Sequence, residues 1–191
     1  MKEDSIKLSE RVLIKWSKAR PDLAGRELSD IAEELDCDIF SAAAQLQPAG
    51  AVYFAMAEED VQRILSHPNA MIGSDGLPHD EHPHPRLWGT FPRVLGHYCR
   101  DLKLFSLEEA VRRMTGYSAE TFGLIDRGII KPGAFADITI FDEDTVLDRA
   151  TFDKPMTPAA GIDTVLVNGS IVWESGCATG RRPGHVLRNG G

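Results

Sequence analysis

The pattern of this 191-residue chain predicts an α/β fold, and three features carry that expectation. A nearly continuous apolar run over 51–56, an amphipathic stretch over 58–67 and a second apolar run over 70–73 follow one another with short connections. That is the order of a strand–helix–strand unit with a parallel sheet. Directly after it comes a Pro- and His-rich loop over 74–90, and loops of that length in a folded domain are usually functional. Far downstream, Asn168-Gly169 sits between two β-branched runs, the sequence of a type I′ hairpin.

Taken in order, 11–16 is apolar and β-branched enough for a strand, and 17–25, with Pro21 and Gly25, reads as a loop. Leu28, Ile31, Ala32 and Leu35 recur at helical spacing, so a helix is expected over 27–35, and a short one over 41–46 stops before Pro48. The run at 51–56 has the composition of a strand buried on both faces. Glu58, Glu59 and Asp60 open the next helix at its positive end, Val61, Ile64 and Leu65 give it an apolar face, and Pro68 ends it. Further helices are expected over 92–101 and 106–114, the second opened by a capping box of Ser106 and Glu109. From 126 onward the character changes. A turn-rich stretch over 128–133 precedes a strand at 137–141 and the hairpin over 164–173, while the tail from 180 is expected to be loosely ordered.

Hydrophobic residues are 42% and charged residues 26% of the chain, enough apolar content to bury a core. The formal net charge of −8, from 21 basic and 29 acidic side chains, repels a phosphate backbone, so no nucleic-acid partner is expected; Arg181-Arg182 is too short to change that. No apolar run approaches the roughly 18 residues of a membrane span, and residues 1–10 have no apolar stretch of signal-peptide length. No membrane partner is expected either. Cys37, Cys99 and Cys177 are odd in number and far apart, as for reduced thiols in a cytoplasmic protein rather than a disulfide framework. Motifs for a nucleophilic serine, a P-loop or a dinucleotide fold do not occur.

Asp75 is the residue best placed for chemistry. It follows the apolar run at 70–73 directly, and the carboxyl ends of parallel strands open into active sites. A carboxylate there can ligate a divalent ion and take a proton from water. An Asp before Gly also caps turns, and position alone leaves both readings open. The loop beyond it carries His79, Asp80, His82, His84 and Arg86. Pro83 and Pro85 interrupt the histidines, which suits a solvated or substrate-facing loop better than a closed metal site. The planar fork of Arg86 can hold a carboxylate through two parallel hydrogen bonds, or form a surface ion pair with Asp80 or Glu81. His67 at a helix end, His97 on a helix and His185 in the tail gain no functional argument, and Trp88 and Phe91 are expected to pack beneath the loop.

The segments Gly73-Ser74-Asp75-Gly76 and His84-Pro85-Arg86-Leu87-Trp88-Gly89-Thr90-Phe91-Pro92-Arg93 resemble the amidohydrolase superfamily, and within it the N-acyl-D-amino-acid deacylases. Ala55-Met56-Ala57-Glu58-Glu59-Asp60-Val61, Lys131-Pro132-Gly133-Ala134-Phe135-Ala136-Asp137 and Val167-Asn168-Gly169 continue the resemblance. It implies that residues 1–125 are the C-terminal portion of a TIM-like metal-dependent hydrolase barrel, with 51–56 and 70–73 as its last two strands. Residues 126–191 would then be strands of a small β-sandwich domain and a tail. It further implies that Asp75 binds Zn2+ and acts as general base, and that Arg86, with His79, receives the carboxylate of an N-acyl-D-amino acid whose amide is hydrolysed. The family's His-x-His, bridging Cys and remaining metal-binding histidines would lie upstream of Met1, so the chain reads as a truncated portion. Two alternatives stand beside this. One is an inert or complementing module that self-associates or awaits an N-terminal half; the other is a different cyclic-amide hydrolase of the same superfamily.

Overall fold

The structure, a computed structural model, describes residues 11–78 and 82–188. Strand β1 (Val12–Ser17) pairs antiparallel with β2 (Ala49–Tyr53), and between them run helices α1 (Leu28–Glu34) and α2 (Ile39–Gln45). The expected strand and helices are all present, with α2 beginning two residues earlier than its apolar spacing suggests. The cause is Asp38, whose carboxylate accepts the backbone N–H groups of Phe40 at 2.9 Å and Ser41 at 3.0 Å and so caps the first turn. Val12 and Ile14 from β1, Leu28, Ile31 and Ala32 from α1, and Ala42 with Leu46 form one core. Ser17 closes its edge by donating to the Leu46 carbonyl at 2.6 Å.

Helix α3 (Glu58–Leu65) follows β2 as expected, but the parallel unit is not formed among the described residues. β2 has β1 as its neighbour and runs antiparallel to it, with Tyr53 60% exposed. Residues 70–73 form no strand ladder among the described residues. A strand exists only where a neighbour completes its hydrogen bonds, and apolar composition alone does not supply one. Ile72 nevertheless packs against a second core, so the direction of this segment is fixed by side-chain burial.

Helix α4 (Arg86–Arg93) begins six residues before the expected start of a helix at Pro92, which lies inside it. Proline is tolerated there at the cost of one hydrogen bond, and its ring crowds the carbonyl one turn back. The helix widens immediately afterwards into a π-helix, Val94–Asp101. Val94, Leu95, Tyr98 and Cys99 from that turn, Ala110 from α5 (Leu107–Met114) and Val146 make the second core. The same core draws in Phe141 and Ile162 from the β-rich part of the chain. Ser106 caps α5 by accepting Glu109 N–H at 3.3 Å, but Glu109 does not reach back to complete the box. Its carboxylate is taken instead by Arg112 at 2.7 Å and by Arg113 at 2.6 Å. Arg113, with its side chain only 5% exposed, also donates to the Leu65 carbonyl and so ties α5 to α3.

After α6 (Gly116–Thr121), strands β3 (Ile138–Phe141), β4 (Ile162–Val167), β5 (Ser170–Glu174) and β6 (Cys177–Ala178) form an antiparallel sheet in sequence order. Asn168 (φ +46°) and Gly169 (φ +76°) both occupy the left-handed region that the hairpin turn requires. Arg127 stacks on Phe135 and bonds Asp137 and Asn168, and Asn168 donates to the Pro183 carbonyl at 2.7 Å, so part of the tail is tied to the turn.

Ile31 is 1% exposed at the centre of the first core, and Ile31→Ala is expected to cost about 2–5 kcal/mol in urea unfolding. Hydrogen bonds from Arg112 and then Arg113 hold the Glu109 carboxyl at about 2, below its ordinary 4.5. A depressed folded-state value contributes stability that is present above pH 4.5 and lost as pH falls toward 2. The melting-temperature gap between wild type and Glu109→Gln should therefore be widest above pH 4.5 and close on acidification.

Candidate functional site

The segment 70–73 ends in a tight turn at Asp75, where Ser74 Oγ accepts the Gly76 N–H at 3.3 Å. Asp75 itself is left-handed (φ +48°), a conformation that Asp tolerates better than most side chains. Gly76 lets this turn approach α4, since a Cβ there would lie 2.8 Å from the Leu87 Cα. Arg86, the first residue of α4, closes the turn from the other side. Its Nε donates to the Asp75 carbonyl at 2.9 Å and its Nη2 meets Asp75 Oδ2 at 2.7 Å. The Asp75 side chain is 82% exposed and that of Arg86 38%.

The sequence thus places an acid and a planar cation in one loop, and the structure brings them into contact. Asp75 faces open solvent. Two hollows elsewhere are lined by other residues: one between α1 and α2 at Glu33, Cys37 and Phe40, the other along α3 at Met56, Ile64 and His67. The expected mouth of a parallel sheet is therefore not enclosed among the described residues, for want of the neighbouring strands that would wall it.

The loop histidines do not converge on an ion. His82 Nε2 lies 2.5 Å from the Phe152 carbonyl oxygen, a contact that requires the proton on Nε2. His84 is half-buried, sets its ring edge against Phe152 at 5.1 Å between centroids, and accepts the Arg86 N–H on Nδ1 at 3.0 Å. Burial pushes His84 down to about 4, with the charges of Arg86 and Lys15 acting in the same direction and Asp75 opposing them. The ring is neutral at physiological pH. His79 lies outside the described residues. His67 accepts the Asn69 N–H at 3.2 Å, and His97 stands 4.0 Å from Glu58 and edge-on to Tyr98. Trp88 and Phe91, expected beneath the loop, are partly exposed on α4. Sequence reasoning passed over Phe152, which lies 70 positions from His82 in a stretch without periodicity.

Zinc sites take three or four protein ligands, or three and a water. Among the described residues no group of three or more His, Cys, Asp and Glu side chains gathers for a metal, and Asp75 offers one carboxylate. The residues in hand do not fit a whole zinc site. At most they furnish one wall of it.

Residues 37–173 match the model of the Amidohydrolase family, and the chain belongs to that family. It is 55% identical over 187 residues to a D-aminoacylase of Alcaligenes xylosoxydans xylosoxydans, covering 98% of this chain and 39% of the relative. A solved D-aminoacylase that defines a novel subset of amidohydrolases superposes with a TM-score of 0.92 at 56% identity, over 98% of this chain and 40% of that one. An N-acyl-D-glutamate deacylase of Bordetella bronchiseptica, solved with zinc and a phosphonate mimic of the tetrahedral intermediate, gives 0.88 at 54% identity, over 93% and 37%. The chain therefore spans about two fifths of the length of the relatives it matches.

An ion pair as exposed as Asp75–Arg86 contributes little to folding. Arg86→Ala is expected to change unfolding free energy by less than about 1 kcal/mol in a urea titration.

Proposed function

We propose that this chain forms the Asp75 face of a zinc-dependent enzyme that hydrolyses N-acyl-D-amino acids to a carboxylate and a free D-amino acid. The observation that carries the reading is the paired Asp75 and Arg86, 2.7 Å apart at the end of the 70–73 segment, in a chain so similar to a D-aminoacylase. Asp75 contributes one carboxylate ligand and a proton acceptor. The Arg86 fork is assigned to the substrate's α-carboxylate, which it can hold through two parallel hydrogen bonds. His79 is assigned to the same substrate face. The described residues by themselves do not complete a zinc site.

The same reading takes residues 1–125 as the C-terminal part of a TIM-like barrel and 126–191 as part of a small β-sandwich domain. The N-acyl-D-amino acid is the expected partner. No helix among the described residues is long and apolar enough to cross a membrane, and Cys37, Cys99 and Cys177 are free thiols, which suits the cytoplasm.

A second reading has its own support. Tyr53, Met56 at 70% exposure and Ile64 leave an apolar face beside the unpaired 70–73 segment. A complementing module that gains its ligands and its walls from further polypeptide would present such a face. Zinc analysis of the purified 191-residue chain separates the two. Stoichiometric tightly held zinc with turnover would contradict the complementing reading.

In the active assembly, Asp75→Asn is expected to lower kcat for N-acetyl-D-amino acids by roughly 10²–10⁴, the span of a lost acid–base group, while the melting temperature holds. Undiminished turnover would reject the assignment. Arg86→Ala is expected to raise KM about 10- to 100-fold for substrates with a free α-carboxylate, the equivalent of a charged hydrogen bond, and to leave the corresponding methyl esters unaffected.

A further inference from the structure

Arg86 opens α4, and its backbone N–H is among those that a helix start leaves without an intrahelical acceptor. Ser, Thr, Asn or Asp at the capping position ordinarily supplies one. Here that position holds Pro85, which has no side-chain acceptor to offer. The acceptor is His84 Nδ1 at 3.0 Å, a side chain closing onto the N–H two residues ahead as Asn and Asp do in an Asx turn. Nδ1 accepts only if the ring is neutral with its proton on Nε2.

The ring is held in turn. Phe152 meets its edge at 5.1 Å, and Phe54 backs Phe152 at 4.6 Å. His82 bonds the Phe152 carbonyl, so the two histidines that flank Pro83 grip one residue from a remote part of the chain. From this fixed start Arg86 reaches both the Asp75 carbonyl and its carboxylate. The contacts run without a gap from Phe152 through His84 and Arg86 to Asp75.

We propose that His84 is a positioning residue. By accepting the Arg86 N–H while braced on Phe152, it sets the orientation of the Arg86 guanidinium, and through it the placement of a substrate carboxylate beside Asp75. This rests on the reading of Arg86 as the carboxylate clamp. Burial keeps the His84 ring neutral, which preserves the acceptor.

Nitrogen-15 NMR of the 191-residue chain tests it without any requirement for activity. Wild type is expected to show His84 as the Nε2–H tautomer and an Arg86 Nε–H that exchanges with water at least tenfold more slowly than that of Arg188. His84→Ala should bring Arg86 to within a few-fold of Arg188. His84→Asn should restore slow exchange at Nε, because its side-chain oxygen can accept the Arg86 backbone N–H that His84 Nδ1 accepts. Phe152→Leu should speed exchange while amide dispersion elsewhere is unchanged. An Nδ1–H tautomer in wild type overturns the proposal, as does unchanged Arg86 exchange in folded His84→Ala. Should His84→Ala fail to fold, unchanged exchange in Phe152→Leu overturns it instead. The clamp itself is judged separately: if Arg86→Ala leaves KM for free-carboxylate substrates unaltered, that reading fails while the NMR result still decides whether His84 orients Arg86.

Discussion

Arg86 donates to the backbone carbonyl of Asp75 and meets its carboxylate, and these two contacts hold a left-handed aspartate at the end of a segment that has no ladder among the described residues. With a bond to the carbonyl as well as the side chain, the direction of the turn is fixed together with the position of the acid. The pair is too exposed to stabilise the fold appreciably. Its effect is geometric: an anion and a planar cation are kept in contact at one turn.

What holds the pair in place lies outside the loop. Ile72 buries against the second core and aims the segment that delivers Asp75, while the same core, through Val94, Leu95 and Tyr98, seats the helix whose first residue is Arg86. Arg100 donates to the Val146 carbonyl at 2.8 Å and Arg93 meets Asp148 at 3.4 Å, so the stretch before Phe152 is tied to the same helix. Phe152 then presents its ring to His84 and its carbonyl to His82. Asp75, Arg86 and His84 thus share one packed support.

Local chemistry was readable where local forces decide. Leu28, Ile31 and Ala32 announced α1, Ser106 announced the start of α5, and Asn168-Gly169 announced the β4–β5 turn, each through interactions within a few residues. Asp75 and Arg86 stood out for the same reason, one by following an apolar run and the other by its place in a proline-rich loop. The failures share a non-local cause. The partner of β2 is β1, from the start of the described chain, and no local pattern reveals a pairing across some 35 residues. Residues 70–73 have the composition of a strand but no neighbour among the described residues to complete one. The sequence pattern starts a helix at Pro92, whereas packing of the π-helix onto Ala110 and Val146 carries the helix through it. The sequence favours a solvated or substrate-facing loop for the histidines, and their seating on Phe152 is not legible there because Phe152 is remote in sequence.

The most direct test of the account is a crystal structure of the zinc-loaded active assembly with an N-acyl-D-amino-acid phosphonate analogue bound. The account predicts an Asp75 carboxylate oxygen about 2.0–2.2 Å from zinc and the Arg86 fork on the ligand's α-carboxylate. A zinc ion held wholly by other residues, with Asp75 still turned to solvent, would contradict it.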